Sequence, residues 1–294
     1  MDIEKLIERI VDLKEDISAL KQIEKEILKK YSFGNIHYSL LFDAFLSDPV
    51  EYFSRKVGLE KNTSLPKLTK AIKNDTNKQR ILSTSISSQL RNLYEAWVFG
   101  GILKNLASSI IEPRDLFGTL KLNGITSSSS ASIIAGIESK NKLAIFLDTP
   151  LPPKDYVSGE KYRSRPDLGI YLVKSFEGAQ RDKFSPTSNY LQLIALIECK
   201  ESTVWPWTKK KIINPLNPIP EKIEVSHLEM LMYYEKLYTP PLFFLLSRVQ
   251  TPKKALNTIK ETNIRFFDSI GYNETVLEKV SDEIRSIVNN KNAL

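Results

Sequence analysis

Histidine and cysteine are nearly missing from this chain. Two histidines, His37 and His227, and one cysteine, Cys199, occur among its 294 residues. A Cys/His zinc site therefore cannot be assembled within one chain, and a single thiol excludes an intramolecular disulfide. That fits a reducing cytoplasm. Long apolar runs are also lacking: none approaches the roughly 20 residues that cross a bilayer. The start, Met1-Asp2-Ile3-Glu4-Lys5, has no basic segment ahead of an apolar stretch. A soluble, cytoplasmic protein with no membrane partner is expected. Apolar residues make up 41% and charged residues 26% of the chain, which excludes a disordered, collagen-like or fibrous protein. The length suits one large or two modest domains with a sizeable core. Against 35 Asp+Glu stand 42 Lys+Arg, a formal charge of +7. That excess permits a polyanionic partner, although many basic proteins bind no nucleic acid.

Ile3, Leu6, Ile10, Leu13, Ile17 and Leu20 alternate three and four apart, with Ile27 later in the same phase. This is a heptad stripe on a long helix, interrupted where Glu24 takes an apolar place. Two readings stand: a dimerising or interdomain coiled coil, or a helix packed on its own domain. From Tyr31 to Asp75 the text suits short helices. A second long helix is expected over Ser85 to Leu106, where Leu90, Leu93, Trp97, Leu103 and Leu106 recur at helical spacing and Glu95 sits among them.

After Pro113 the period changes. Ser127 to Ser130 reads as a loop, and strands are expected over Ser132 to Ile137, Leu143 to Leu147 and Asp167 to Val173. A polar loop, Lys174 to Asn189, leads to Tyr190–Ile197, an apolar run that suits a central strand buried on both faces. A Trp/Pro/Lys-rich loop follows, then a helix from about Val225 to Tyr238, a buried strand Leu242 to Leu246 and a last helix from Glu274 to Val288. Helices first and strands flanked by helices afterwards predict an α/β fold. The expected division is an N-terminal helical region over 1–80 and a core over 81–294.

The apolar run ends in Glu198-Cys199-Lys200. Residues two apart on a strand share a face, so Glu198 and Lys200 project together where the buried strand emerges. A hairpin partner beginning with Pro166-Asp167 sets a third charge beside them. Such groups are expensive to leave unpaired. Mg²⁺ resolves the conflict, because it takes oxygen ligands and keeps waters that a phosphate can displace. Lysine can then orient or help deprotonate a water while the metal polarises the phosphate.

Pro166-Asp167 followed by Glu198-Cys199-Lys200 resembles the PD-(D/E)XK nuclease superfamily, whose fold is restriction-endonuclease-like, a mixed central sheet flanked by helices. The resemblance implies that Asp167, Glu198 and the backbone carbonyl of Cys199 hold Mg²⁺, for which Mn²⁺ can substitute, and that Lys200 is the catalytic lysine. Many members add an acid from a helix before the sheet, and Glu95 is similar to that residue. Its surroundings, Tyr94-Glu95-Ala96-Trp97, are similar to the Tyr-Glu-x-Trp helices of nucleases in methylation-dependent restriction systems. Glu229 and Tyr233 fall where some branches carry Gln-x-x-x-Tyr, with Glu in place of Gln, and are candidates for supporting the site. The resemblance covers about Leu90 to Leu246. Glu138-Ser139-Lys140 repeats the triplet without a Pro-Asp strand before it.

Lys209, Lys210 and Lys211 follow Trp205-Pro206-Trp207, a mix of charge and aromatic faces suited to phosphate contacts and base stacking. Arg163 and Arg165 precede Asp167 and are further DNA-binding candidates. His227 is either close support for the site or a packing residue. The implied function is an Mg²⁺-dependent endodeoxyribonuclease acting on double-stranded DNA, foremost a type II restriction endonuclease working as a homodimer, with the N-terminal heptads as a candidate interface. The alternatives are a junction resolvase, an exonuclease, or a non-catalytic DNA-binding or assembly protein.

Overall fold

A computed structural model describes residues 3–112, 119–121, 132–137, 141–147, 166–174, 191–213 and 222–291. Helix α1, Ile3–Tyr31, carries the heptad stripe. Leu6, Ile10, Leu13, Ile17 and Leu20 are buried, and at the Glu24 interruption the stripe steps to Ile23, then Ile27 and Tyr31. Glu24 instead meets the Tyr38 hydroxyl, and burial raises its carboxyl above the usual range. Strand β1, Asn35–His37, was not anticipated. Helices α2, Leu40–Ser47, and α3, Pro49–Lys56, are each started by a side-chain cap, Ser39 and Asp48. Helix α4 spans Leu65–Ile72.

Helix α5, Thr76–Leu106, begins earlier than the apolar periodicity suggests, because Asp75 caps it by accepting from the Lys78 amide at 2.9 Å. It is the partner of α1: the Tyr31 hydroxyl donates to the carbonyls of Leu103 and Ala107 at 2.9 and 2.8 Å. The stripe is thus covered by its own chain, which is the second of the two readings its spacing allowed.

The strands are β2, Ser109–Glu112; β3, Thr119–Lys121; β4, Ser132–Gly136; β5, Lys142–Leu147; β6, Leu168–Val173; and β7, Leu191–Lys200. Next come β8, Lys209–Ile213; β9, Lys222–Ser226; helix α6, His227–Tyr238; β10, Leu242–Ser247; helix α7, Lys253–Ile259; β11, Arg265–Phe267; and helix α8, Glu274–Lys291. Seven strands form a mixed sheet in the order β11-β10-β7-β6-β5-β4-β2. From β4 to β7 neighbours are antiparallel, whereas β10 runs parallel to both β7 and β11. The expected Trp/Pro/Lys-rich loop is in part the hairpin β8–β9, and β1 pairs with β3 in a third small sheet.

Burial on both faces explains the unbroken apolar run of β7. Ala195, Ile197 and Cys199 join a cluster with α1, α5 and α8, while Leu196 joins one with Trp205, α6 and α7. The chain is therefore mixed α/β with helices on both faces of the sheet and an N-terminal helical region. The larger cluster runs from Leu6 to Val288 and crosses the division expected near residue 80. Among the described residues no helix is long and apolar enough to cross a membrane. The serine run, the second triplet at Glu138, the loop from Ser175 onwards, Arg163 and Arg165 lie outside the described residues.

Candidate functional site

Antiparallel pairing sets Leu168 of β6 opposite Ile197 of β7, so Asp167, just before β6, lies beside Glu198 near the end of β7. The contacts are reciprocal. The Asp167 amide donates to Glu198 Oε2 at 3.2 Å, and the Cys199 amide donates to Asp167 Oδ2 at 2.7 Å. Lys200 Nζ, two residues on and on the same face, donates to Glu198 Oε1. Glu198 and Lys200 are almost fully buried, at 2% and 5% exposure. Trp205 closes the site from the α6 side, its ring centroid 6.0 Å from Lys200 Nζ.

Burial makes these charges costly, and their protonation responds. Burial and the neighbouring Asp167 push the Glu198 carboxyl up to about 7, against the opposing pull of Lys200. Burial alone would lower Lys200, but Glu198 and Asp167 outweigh it and hold the ammonium above its ordinary range. Lys200 is a firm cation here.

Cys199 points the other way, toward α5, where burial raises its thiol well above the usual value. A neutral, enclosed thiol is a poor nucleophile and a poor ligand. Glu95 approaches from α5 on that side, close enough to act on Cys199 electrostatically, and its Oε1 lies 3.5 Å from Arg91 Nε. Among the described residues no three His, Cys, Asp or Glu side chains gather into a metal-binding group. A cation at this site would rest on two carboxylates, a backbone carbonyl and water. Those hard oxygens fit Mg²⁺ or Mn²⁺. Two adjoining carboxylates against one ammonium also leave the negative excess that a divalent ion neutralises.

The remaining sequence candidates sit further out. Lys209, Lys210 and Lys211 are exposed on β8, in a strand and not a loop, and Lys209 Nζ lies 3.6 Å from Glu224 Oε2. Glu229 belongs to the capping box of α6, accepting from the Ser226 amide at 2.6 Å while the Ser226 hydroxyl accepts from the Glu229 amide. That contact makes Glu229 a helix-starting residue. Tyr233 packs at the edge of the smaller apolar cluster. His227 is nearer: burial, with Lys200, Lys210 and Arg91 around it, drops its imidazole to about 3, so it is neutral.

Sequence reasoning missed two participants. Glu201 follows the triplet directly; burial raises its carboxyl, and Lys200, Arg91 and Asp167 all act on it. Its adjacency to Lys200 was the available signal. Arg248, just past β10, donates its amide to the Lys200 carbonyl at 2.7 Å. Its guanidinium reaches Asp16 Oδ1 of α1 at 2.5 Å and lies 5.0 Å from the Tyr272 ring centroid. No sequence spacing connects these residues; only the parallel pairing of β10 with β7 does.

No family model, curated protein or solved structure matches the chain.

Proposed function

We propose that the protein is a Mg²⁺-dependent endodeoxyribonuclease of the PD-(D/E)XK type, with the restriction-endonuclease-like fold and a restriction role. The observation that carries the reading is the direct contact of Asp167, Glu198 and Lys200 at the adjoining ends of β6 and β7. Support also comes from the order of elements around it: a helix that carries Glu95, three antiparallel strands, a helix, and a strand parallel to the third.

Asp167 and Glu198 would hold the cation with the Cys199 carbonyl, and the amide that binds Asp167 Oδ2 fixes that carboxylate's rotamer. Bound there, Mg²⁺ would supply Lewis-acid activation of water and of the scissile phosphate. Lys200, kept as an ammonium, orients the attacking water and stabilises charge developing on the phosphate oxygens. Because the ammonium is so firmly held, orientation suits it better than proton abstraction. Glu95 tunes the site from α5. The exposed Lys209–Lys211 face and Trp207, 45% exposed beside it, offer phosphate and base contacts.

The test is plasmid DNA incubated with pure protein and Mg²⁺. Cleavage is expected, abolished by chelator, and lowered about 100-fold or more in Asp167→Ala and Lys200→Ala, the usual scale for losing an electrostatic partner of the transition state. Equal cleavage by all three proteins would sink the assignment. Discrete fragments support restriction, a smear exonuclease action, and selective cutting of four-way junctions a resolvase. Binding without cleavage favours an assembly protein.

A further inference from the structure

The N-terminal helical region holds a cleft of about 410 Å³ between α3 and α5. Tyr52 and Lys56 line it from α3; Arg80, Ser85, Ser88 and Gln89 line it from α5, and no acidic side chain does. Its volume falls within the roughly 300–1,000 Å³ of small-ligand sites. The cations beside it are already satisfied: Arg55 pairs with Glu51 at 2.5 Å and Lys78 with Asp75 at 3.7 Å. Lys56 and Arg80 are different. Lys56 Nζ lies 5.2 Å from the Tyr52 ring centroid, Arg80 Nη2 donates to Asn77 Oδ1 at 3.1 Å, and neither has a carboxylate partner among the described residues. Deeper in, Gln89 Nε2 donates to the Tyr52 hydroxyl at 2.8 Å, which leaves the hydroxyl's own proton to be donated elsewhere. Ser85 and Ser88 add two half-buried hydroxyls.

Two cations, hydroxyl donors and no competing carboxylate make an anion site, and a buried aromatic floor suits a ligand with more than a phosphate. We propose that this cleft binds a phosphate ester of mononucleotide size. Lys56 and Arg80 supply the positive charge for the phosphate, and the rest of the ligand lies along the cleft past Ser85 and Ser88, which are up to about 12 Å along α5 from Arg80, toward Tyr52. The site is separate from the acidic cluster and does not depend on the nuclease reading.

Calorimetric titration of the full chain in chelator decides the matter, with deoxyadenosine monophosphate, deoxyadenosine and inorganic phosphate as probes. The monophosphate is expected to saturate one site and the nucleoside to bind at least about tenfold more weakly, the loss of a charge-assisted contact. The Lys56→Glu/Arg80→Glu variant should lose at least about tenfold in affinity for the monophosphate. Both residues are exposed, so the fold should tolerate the change. Ser88→Leu, which fills the cleft and keeps both charges, should weaken binding as well. Displacement of the monophosphate by a short duplex assigns the phosphate to a DNA backbone; failure to displace assigns it to a free nucleotide. Both outcomes preserve the phosphate-ester chemistry. No saturable binding of either phosphate probe would overturn the proposal. So would binding unchanged by the double charge reversal, or binding lost in Asp167→Ala alone, which would place the ligand at the β6/β7 cluster.

Discussion

Glu198 and Lys200 are worth more as partners than either is alone. Removing one member of a buried ion pair leaves the other uncompensated, at a cost of about 3–5 kcal/mol, whereas removing both leaves no charge behind. In chelator, Lys200→Met should therefore destabilise the protein by about 3 kcal/mol, the low end, since Glu198 already sits near 7 and can take a proton. Adding Glu198→Gln to that variant should restore part of the loss, and denaturant unfolding of the cycle measures the coupling. Simple additivity would mean that the two groups do not depend on one another. The same contact keeps the lysine charged, because the carboxylate pressed against it favours the ammonium form.

At the level of elements, α5 is the spine, and two adjacent glycines let it be approached from both sides. A Cβ on Gly100 would come within 2.7 Å of Ile23 Cγ2 of α1, and one on Gly101 would overlap Leu277 Cδ1 of α8. Gly101→Ala should cost about 1–3 kcal/mol in overpacking, against a helix-propensity gain of up to about 1 kcal/mol. The expected result is a lower denaturant midpoint at unchanged slope; equal or higher stability would show that Leu277 can swing aside. Much at this scale was legible beforehand. The helical stripes of α1 and α5, the buried run of β7 and the shared face of Glu198 and Lys200 all follow from local periodicity, whereas the place of Asp167 beside them was expected from a hairpin partner and the family resemblance and is set by the pairing of β6 with β7. What escaped was set by non-local contact: the pairing of β8 with β9 made a charge run into a strand, and the capping box claimed Glu229. Arg248 reached the site only through strand order. The heptads left self-packing and dimerisation open because an apolar stripe does not specify which helix covers it.

On the scale of the whole molecule, one apolar cluster joins α1, α5, the sheet and α8. Thermal unfolding should accordingly be a single transition, with Leu13→Ala in α1 and Phe244→Ala in β10 lowering the same midpoint, each by the destabilisation of about 2–5 kcal/mol typical of such core truncations. Two separable transitions, each sensitive to one variant, would refute that. The Arg248–Asp16 bond joins residues 232 positions apart. Closing so long a loop is entropically costly and kinetically late, because distant contacts reward the chain only after most of it has been ordered. The strand that carries Lys200 is therefore anchored from behind only near the end of folding. A half-folded chain on the ribosome would carry Asp167, Glu198 and Lys200 without their final alignment, so the nuclease activity proposed above would be acquired last.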